Sequence, residues 1–219
     1  NSEGLEMTYV YQSDDGRDGT WDFKFIRTTS HDAAGNVIER LIQYDFDVNG
    51  EWDSELKYIY VYDSYGNHTQ EFIDEGNDGK MDQEVVNIYT YDSAGNILEQ
   101  RRTIDYDYDG ETDTAYFYEG TYDAANNRLT WVTERYGSDL KTLLSITYQT
   151  STYDASGNEL TSVNSSDYGG DGNLDFIQSA TLTYNANNQI LTQNFSYDYE
   201  GDGVSNVIYD VVYTYDDDG

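Results

Sequence analysis

The sequence predicts an all-β fold in which tandem antiparallel β-hairpins, each about 31 residues long, join into a spiralling, solenoid-like sheet. Three observations predict it. A turn motif recurs at a fixed spacing, and an acidic loop motif lies at a fixed distance before each turn. In the segments that separate these two motifs, apolar and polar residues alternate. A β-propeller or a β-sandwich built from the same hairpins stays open as an alternative.

The turn motif is Tyr-Asp-x-x-Gly-Asn. Asp closes an Asx-turn and Gly accepts a positive φ, so the motif is typical of a short hairpin loop. Its spacing is 31 residues, except for one unit of 29, and a loss of two residues keeps later side chains on their own faces. The leading aromatic position falls at His31, Tyr62, Tyr91, Tyr122, Tyr153, Tyr184 and Tyr215.

The acidic loop motif is Asp-x-Asp-x-Asp-Gly-x-x-Asp, and each copy begins 17 residues before the aromatic position of its turn. The complete copy runs from Asp105 to Asp113, whereas the unit that starts at Tyr136 lacks the motif. The copies begin at Asp14, Asp45, Asp74, Asp105, Asp167 and Asp198.

The segments between the two motifs have the length and the alternation of strands. Eight residues separate each acidic loop from its aromatic position, and along one of them Leu56 and Tyr58 fall on one face while Lys57 and Ile59 fall on the other. We therefore expect roughly a dozen strands, with acidic loops along one edge and turns along the other. Residues 1–219 are predicted to form one tandem-repeat domain of about seven hairpin units, as a fragment of a longer array or as a filament subunit.

The acidic loops predict calcium. Ca²⁺ takes six to eight oxygen ligands, and carboxylates at positions 1, 3, 5 and 9, with Gly at position 6 and a carbonyl from position 7, supply them. The chain contains no Cys, the ligand that soft metals prefer. We expect about six calcium sites. The predicted ligands are Asp14, Asp18, Thr20, Asp22, Asp45, Asp47, Asn49, Glu51, Asp53, Asp74, Asp78, Lys80, Asp82, Asp105, Asp107, Asp109, Glu111, Asp113, Asp167, Asp171, Asn173, Asp175, Asp198, Glu200, Asp202, Val204 and Asn206.

Composition and net charge limit the classes of partner and the cellular location that we expect for the protein. The chain has 43 acidic and 11 basic residues, a net charge of −32, so nucleic acid and anionic membranes are not expected as partners, and no apolar run predicts membrane insertion. Extracellular calcium modules bind with Kd on the order of 10⁻⁴ to 10⁻³ M. Such sites fill outside the cell and stay empty in a cytosol, which predicts an extracellular or cell-surface protein.

The segment from Tyr89 to Asn96, Tyr-Thr-Tyr-Asp-Ser-Ala-Gly-Asn, resembles the YD repeats of Rhs and teneurin-type proteins. That resemblance implies a spiralling sheet of hairpins at a cell surface or around a toxin. The acidic loop from Asp167 to Asp175 is similar to the calcium-binding hairpin loops of integrin-type propeller blades. The unit here is longer than a YD repeat, as expected if a calcium loop is inserted.

A structural or adhesive role follows best from these features. No nucleophile elbow, Cys or zinc-type His pair occurs, so catalysis is not expected. One alternative is a calcium-dependent, lectin-like module in which exposed Tyr side chains and Trp131 stack on sugars. Another is a shell segment of a YD-repeat toxin-delivery protein. Unprotected strand edges also predict self-association.

Overall fold

The computed structural model describes residues 6–17 and 19–215, and it confirms the all-β prediction. These residues form one open sheet of 14 antiparallel strands, each beside its neighbours in sequence. No helix among them is long and apolar enough to cross a membrane. The strands are β1 Glu6–Ser13, β2 Phe23–His31, β3 Val37–Asp45, β4 Ser54–Tyr62, β5 His68–Glu75, β6 Gln83–Tyr91, β7 Ile97–Asp105, β8 Thr114–Tyr122, β9 Arg128–Tyr136, β10 Leu143–Tyr153, β11 Glu159–Asp167, β12 Phe176–Tyr184, β13 Ile190–Asp198 and β14 Val207–Val212.

The turns have the predicted Asx geometry. In the turn that begins at Asp154, the backbone N–H groups of Ser156 and Asn158 donate to Asp154 Oδ1 at 2.8 and 2.9 Å. Asn158 Nδ2 donates to Asp154 Oδ2 at 2.9 Å, and this hydrogen bond is the main reason that the pKa of Asp154 is lowered. Gly157 has a φ of 83°, so it supplies the left-handed residue that closes the hairpin.

Two turns carry Asn instead of Gly at the left-handed position, and each is linked to the turn before it. Asn126 Oδ1 accepts a hydrogen bond from Asn96 Nδ2 at 3.1 Å, and Asn188 Oδ1 accepts one from Asn158 Nδ2 at 3.0 Å. Asn tolerates a positive φ better than other residues with a side chain. The substitution therefore keeps the turn and adds a hydrogen bond between neighbouring turns.

In four units the aromatic residue of the turn motif links its hairpin to the one before it. Tyr62 donates its hydroxyl to the carbonyl of Val37 at 2.8 Å, and Tyr184 donates to the carbonyl of Glu159 at 2.9 Å. Tyr153 and Tyr215 make the same contact, always with a carbonyl 25 residues earlier. Partial burial raises the pKa of Tyr62 and of Tyr184, as expected for hydroxyls held against the sheet.

Backbone contacts group the chain into two compact units, residues 1–88 with 103–113 and residues 89–102 with 114–219. In the first unit Phe23, Phe25, Tyr44 and Phe46 form an aromatic cluster with ring centroids 5.3 to 6.3 Å apart. This cluster stabilises the sheet beside the loop edge.

In the second unit the Trp131 ring covers Gly120, the residue directly opposite it on β8. A Cβ atom at Gly120 would lie 2.6 Å from this ring. Trp131 is half-buried and packs on its own sheet. Most strand residues in both units are likewise half-buried, so the sheet has two partly wet faces rather than one closed core.

Candidate metal centre

All six acidic loops have the same backbone conformation at positions 4 and 6. Position 4 has a positive φ in each loop, for example 52° at Val48 and 54° at Tyr108, and the Gly at position 6 has a φ between 87° and 95°. A β-branched residue such as Val48 rarely adopts this conformation. The loop path is therefore imposed by the motif as a whole.

The position 1 carboxylate lies at the centre of each loop and is bound by backbone N–H groups. Asp45 is 1 % exposed, and its two oxygens accept hydrogen bonds from the N–H groups of Asn49 and Gly50, both at 3.2 Å. The N–H groups of Asp109 and Gly110 donate to Asp105 in the same way, at 3.2 and 2.8 Å. Equivalent pairs from positions 5 and 6 bind Asp74 and Asp167, whereas Asp198 is bound by the N–H groups of Gly201 and Gly203, at positions 4 and 6.

For two of these carboxylates, Asp105 and Asp167, the hydrogen bonds favour the ionised form. Burial alone raises the pKa of Asp105, but backbone N–H groups of the loop outweigh it and hold the pKa below its ordinary value. The same balance lowers the pKa of Asp167. Both carboxylates therefore carry their charge at neutral pH, as a calcium ligand must.

The position 9 side chain closes the loop from the other side. Asp53 Oδ2 accepts a hydrogen bond from Phe46 N at 2.6 Å, and Asp113 Oδ2 accepts one from Tyr106 N at 2.7 Å. Its own N–H bonds back to the preceding strand, as Asp53 N does to the carbonyl of Tyr44 at 2.8 Å. The other loops use Asp22, Asp82, Asp175 and Asn206 in this role.

Two loops bring three carboxylates together. Each of Asp45, Asp47 and Asp53 places one oxygen within 4.8 Å of the others, and a second cluster of the same size consists of Asp105, Asp107 and Asp109.

In the second cluster the negative charge of Asp109, with smaller contributions from burial and from Asp113 and Asp105, raises the pKa of Asp107. A divalent cation with oxygen ligands would relieve this repulsion, and the residues present fit Ca²⁺.

Among the described residues of the other four loops, no three carboxylates lie so close together. Position 3 is Gly in three of them, at Gly16, Gly76 and Gly169. In the loop that begins at Asp74, Lys80 Nζ lies 3.4 Å from Asp78 Oδ2 and supplies a positive charge of its own. We expect weaker cation binding in these loops.

Individual predicted ligands have other partners as well. In the loop that begins at Asp198, Asn206 Nδ2 donates to Glu200 Oε2 at 2.8 Å. The position 7 residues were predicted to offer carbonyl oxygens, and in five loops their N–H groups donate to the position 5 side chain, as Glu111 N does to Asp109 Oδ1 at 2.8 Å. Asp18 lies outside the described residues. Thr20, the position 7 residue of its loop, is described.

The loop between β9 and β10 lacks the acidic motif, and its one acidic residue is engaged within the loop. Asp139 accepts hydrogen bonds from the N–H groups of Lys141 and Thr142 and from Thr142 Oγ1 at 2.6 Å. The Thr142 side chain, with these N–H groups, lowers the pKa of Asp139 to about 2. This loop is therefore held together by a turn-capping carboxylate.

Sequence reasoning missed how closely neighbouring loops approach each other. A Cβ atom at Gly201 would collide with the carbonyl group of Leu174 in the preceding loop, and one at Gly170 would collide with the carbonyl group of Leu143. Both glycines occupy position 4, where the other four loops have a side chain. That departure from the motif was the signal that could have revealed the contact.

Comparison with solved structures shows distant likenesses. No family model matches the chain, and no curated protein matches it. A porin-like protein from Bacteroides uniformis is 13 % identical over 95 % of this chain and 93 % of its own, with a TM-score of 0.35. A Tc holotoxin pore from Photorhabdus luminescens is 11 % identical over 93 % of this chain, with a TM-score of 0.19, and this chain covers 15 % of it. Neither likeness carries an argument about function, and the YD-repeat resemblance stays a prediction.

Proposed function

We propose that the chain is a calcium-binding structural repeat segment of an extracellular or cell-surface protein. The observation that carries the proposal is the pair of carboxylate clusters, Asp45 with Asp47 and Asp53, and Asp105 with Asp107 and Asp109. Each of these two loops begins with a buried carboxylate that is bound by backbone N–H groups. The β9–β10 loop differs because it contains a single acidic residue. Calcium would hold the loop edge of the sheet rigid by bridging these acids.

The energetics suit a protein that meets millimolar calcium. A site with a Kd of about 10⁻⁴ M at about 10 mM calcium contributes roughly 2.7 kcal/mol to the stability of the fold. Each ion also removes two negative charges from a chain whose net charge is −32, which lowers the repulsion between neighbouring units. Occupied loops would therefore stiffen a long hairpin array, which is the property that a stalk or an adhesin needs.

The Asp107→Asn variant tests the proposal because its effect on stability should reverse with calcium. The raised pKa of Asp107 means that its charge destabilises the calcium-free fold at neutral pH. The variant should therefore melt above the wild type in chelator and below it in calcium, with a calcium affinity at its loop weakened roughly tenfold. Calorimetric titration and thermal unfolding measure the two effects.

The matched control is Glu99→Gln, which removes one negative charge from an exposed strand position outside the loops. It should bind calcium as the wild type does. Absence of any calcium heat in the wild type, together with an unfolding temperature that chelator does not change, would contradict the proposal.

A groove between two neighbouring loops supports a second candidate function, a calcium-dependent carbohydrate-binding module. Tyr168 and Tyr199 are both more than half exposed and flank this groove, and Asp171, Asp175 and Glu200 line its remaining wall. Exposed aromatic rings beside oxygen ligands are suited to stacking on a sugar ring.

A glycan array at millimolar calcium tests this candidate. Retention of a glycan should be lost in Tyr199→Ala and kept in Tyr65→Ala, which truncates an equally exposed ring in a turn. An array that is negative for the wild type rules the candidate out.

A further inference from the structure

The acidic loop that begins at Asp45 carries an amide where the other acidic loops carry an acid. Position 5 of this loop is Asn49, whereas the other five loops have Asp there, and Gly follows in every case. Of all the Asn residues in the sequence, Asn49 alone precedes Gly. The backbone nitrogen of a glycine can attack the side-chain amide before it, because glycine has no Cβ atom to hinder ring closure.

The step from Asn49 to Gly50 lies open to water. Both residues are exposed. Gly50 has a φ of 95°, and apart from the adjacent residues no atom lies within 4 Å of the place that a Cβ atom would take there. A succinimide ring that joins Gly50 N to Asn49 Cγ therefore meets no packed neighbour on that side of the loop, and water can reach it.

Hydrogen bonds of the loop place a partner beside each reacting atom. Gly50 N donates to Asp45 Oδ2 at 3.2 Å, so a carboxylate is positioned to accept the proton that this nitrogen must lose. Asn49 Oδ1 accepts a hydrogen bond from Glu51 N at 2.8 Å, so a backbone N–H lies where negative charge develops. The leaving nitrogen, Asn49 Nδ2, donates to Asp47 Oδ2 at 3.1 Å. The loop itself thus holds the nucleophile, the carbonyl oxygen and the leaving group.

An aspartate in place of Asn49 fits the same loop conformation. In the complete loop Glu111 N donates to Asp109 Oδ1 at 2.8 Å, and Glu51 N makes the same contact with Asn49 Oδ1 at the same distance. Conversion exchanges the Nδ2 donor for a second carboxylate oxygen beside Asp47. The loop would then hold acids at positions 1, 3, 5 and 9, as the complete motif does.

We propose that Asn49 is a site of spontaneous deamidation, in which Gly50 N attacks Asn49 Cγ. The bond from Cγ to Nδ2 breaks, and Nδ2 leaves as ammonia with the proton that Gly50 N has lost. Water then opens the succinimide ring. Addition of water at the side-chain carbonyl gives aspartate, which completes the acidic motif. Addition at the backbone carbonyl gives isoaspartate, which adds a carbon atom to the main chain and disrupts the loop.

The two products change the loop in opposite directions. Aspartate at position 5 adds a charged oxygen ligand, whereas isoaspartate moves the backbone N–H of Gly50 away from the Asp45 carboxylate that it binds. The effect on calcium rests on the proposed calcium-binding role. The covalent step does not, because it needs only water.

Peptide mass spectrometry of the folded chain, kept in chelator at physiological temperature and pH, tests the covalent step. Asn49 should show the mass gain of exchanging NH₂ for OH before any other Asn, with release of an equal amount of ammonia. Asn173 is the in-chain control, because it is also exposed in an acidic loop but precedes Leu, and it should keep its amide. Conversion of Asn49 only in chains held unfolded in urea would overturn the proposal.

Gly50→Ala tests the identity of the attacking atom. A Cβ atom at Gly50 has no neighbour within 4 Å, so the variant should fold with only the cost of a left-handed backbone. Asn49 should then keep its amide over the period in which the wild type converts, because the methyl group hinders ring closure. Gly110→Ala makes the same change in the complete loop and should leave conversion at Asn49 unchanged. Equal rates in Gly50→Ala and the wild type would overturn the mechanism.

Asn49→Asp reproduces the aspartate product and tests its effect on calcium. Calorimetric titration should show calcium binding at this loop roughly tenfold tighter than in the wild type. If Asn49 converts in the wild type but Asn49→Asp binds calcium no more tightly, the covalent step stands and the calcium effect is overturned. The deamidation and the calcium-binding role therefore fail separately.

Discussion

Gly201→Ala is expected to lower the free energy of unfolding by about 3 kcal/mol. Two penalties combine at this position. Gly201 has a φ of 66°, which costs any residue with a Cβ atom, and the new methyl group would collide with the carbonyl of Leu174 and lie 3.0 Å from Asp175 N. Because all of these are backbone atoms, no side chain can rotate away, and the two loops must separate.

Gly203→Ala in the same loop separates the two penalties. Gly203 has a φ of 87°, but a Cβ atom there would have no neighbour within 4 Å. This variant should lose only about 1 kcal/mol, the cost of the left-handed backbone. Urea unfolding of both variants in chelator gives the difference. Equal losses would show that the neighbouring loops do not touch as described.

Asp198→Ala is expected to cost about 2–3 kcal/mol even without calcium. Asp198 is 4 % exposed, and its carboxylate accepts hydrogen bonds from the N–H groups of Glu200, Gly201 and Gly203 at 3.2, 2.8 and 2.7 Å. Alanine leaves all three donors without their acceptor in a tight loop. The loop should then open at lower denaturant than the rest of the strand pair.

Asp202→Ala is the matched control, because it removes the same charge from the same loop. Asp202 is exposed and accepts one hydrogen bond, from Val204 N at 2.8 Å. Its loss should cost less than half as much. Denaturant unfolding in chelator checks both variants, and similar losses would mean that the carboxylate of Asp198 does not organise the loop.

The fold was largely predictable because it repeats a local pattern. The Asp-x-x-Gly-Asn turns, the strand lengths and the antiparallel order all follow from short-range chemistry that the sequence repeats seven times. The link from Asn96 to Asn126 was not predicted, since it joins turns 30 residues apart and depends on how neighbouring hairpins sit side by side. Contacts between hairpins require the register of the sheet, which composition does not supply.

The candidate cation site could be predicted in outline from the sequence, but the physical reasoning behind that prediction was incomplete. The spacing of Asp105, Asp107 and Asp109 predicted a cluster, and in the structure one oxygen of each lies within 4.8 Å of the others. The spacing pattern accounts only for the ligands, whereas in the structure backbone N–H groups offset much of the cost of burying Asp105. This compensation depends on the positive φ of Tyr108, a local geometry that an acidic pattern does not reveal.

The tyrosine hydroxyls bond carbonyls at a fixed sequence separation, and this has a consequence for how such a chain can change in length. Tyr62, Tyr153, Tyr184 and Tyr215 each bond a carbonyl 25 residues earlier, inside the adjacent hairpin. Duplication or loss of a whole unit by recombination would leave every one of these distances unchanged. Such a gene can lengthen or shorten its protein by whole repeat units. A single-codon deletion within a strand, in contrast, would disrupt the hairpin that contains it and the neighbouring hairpin.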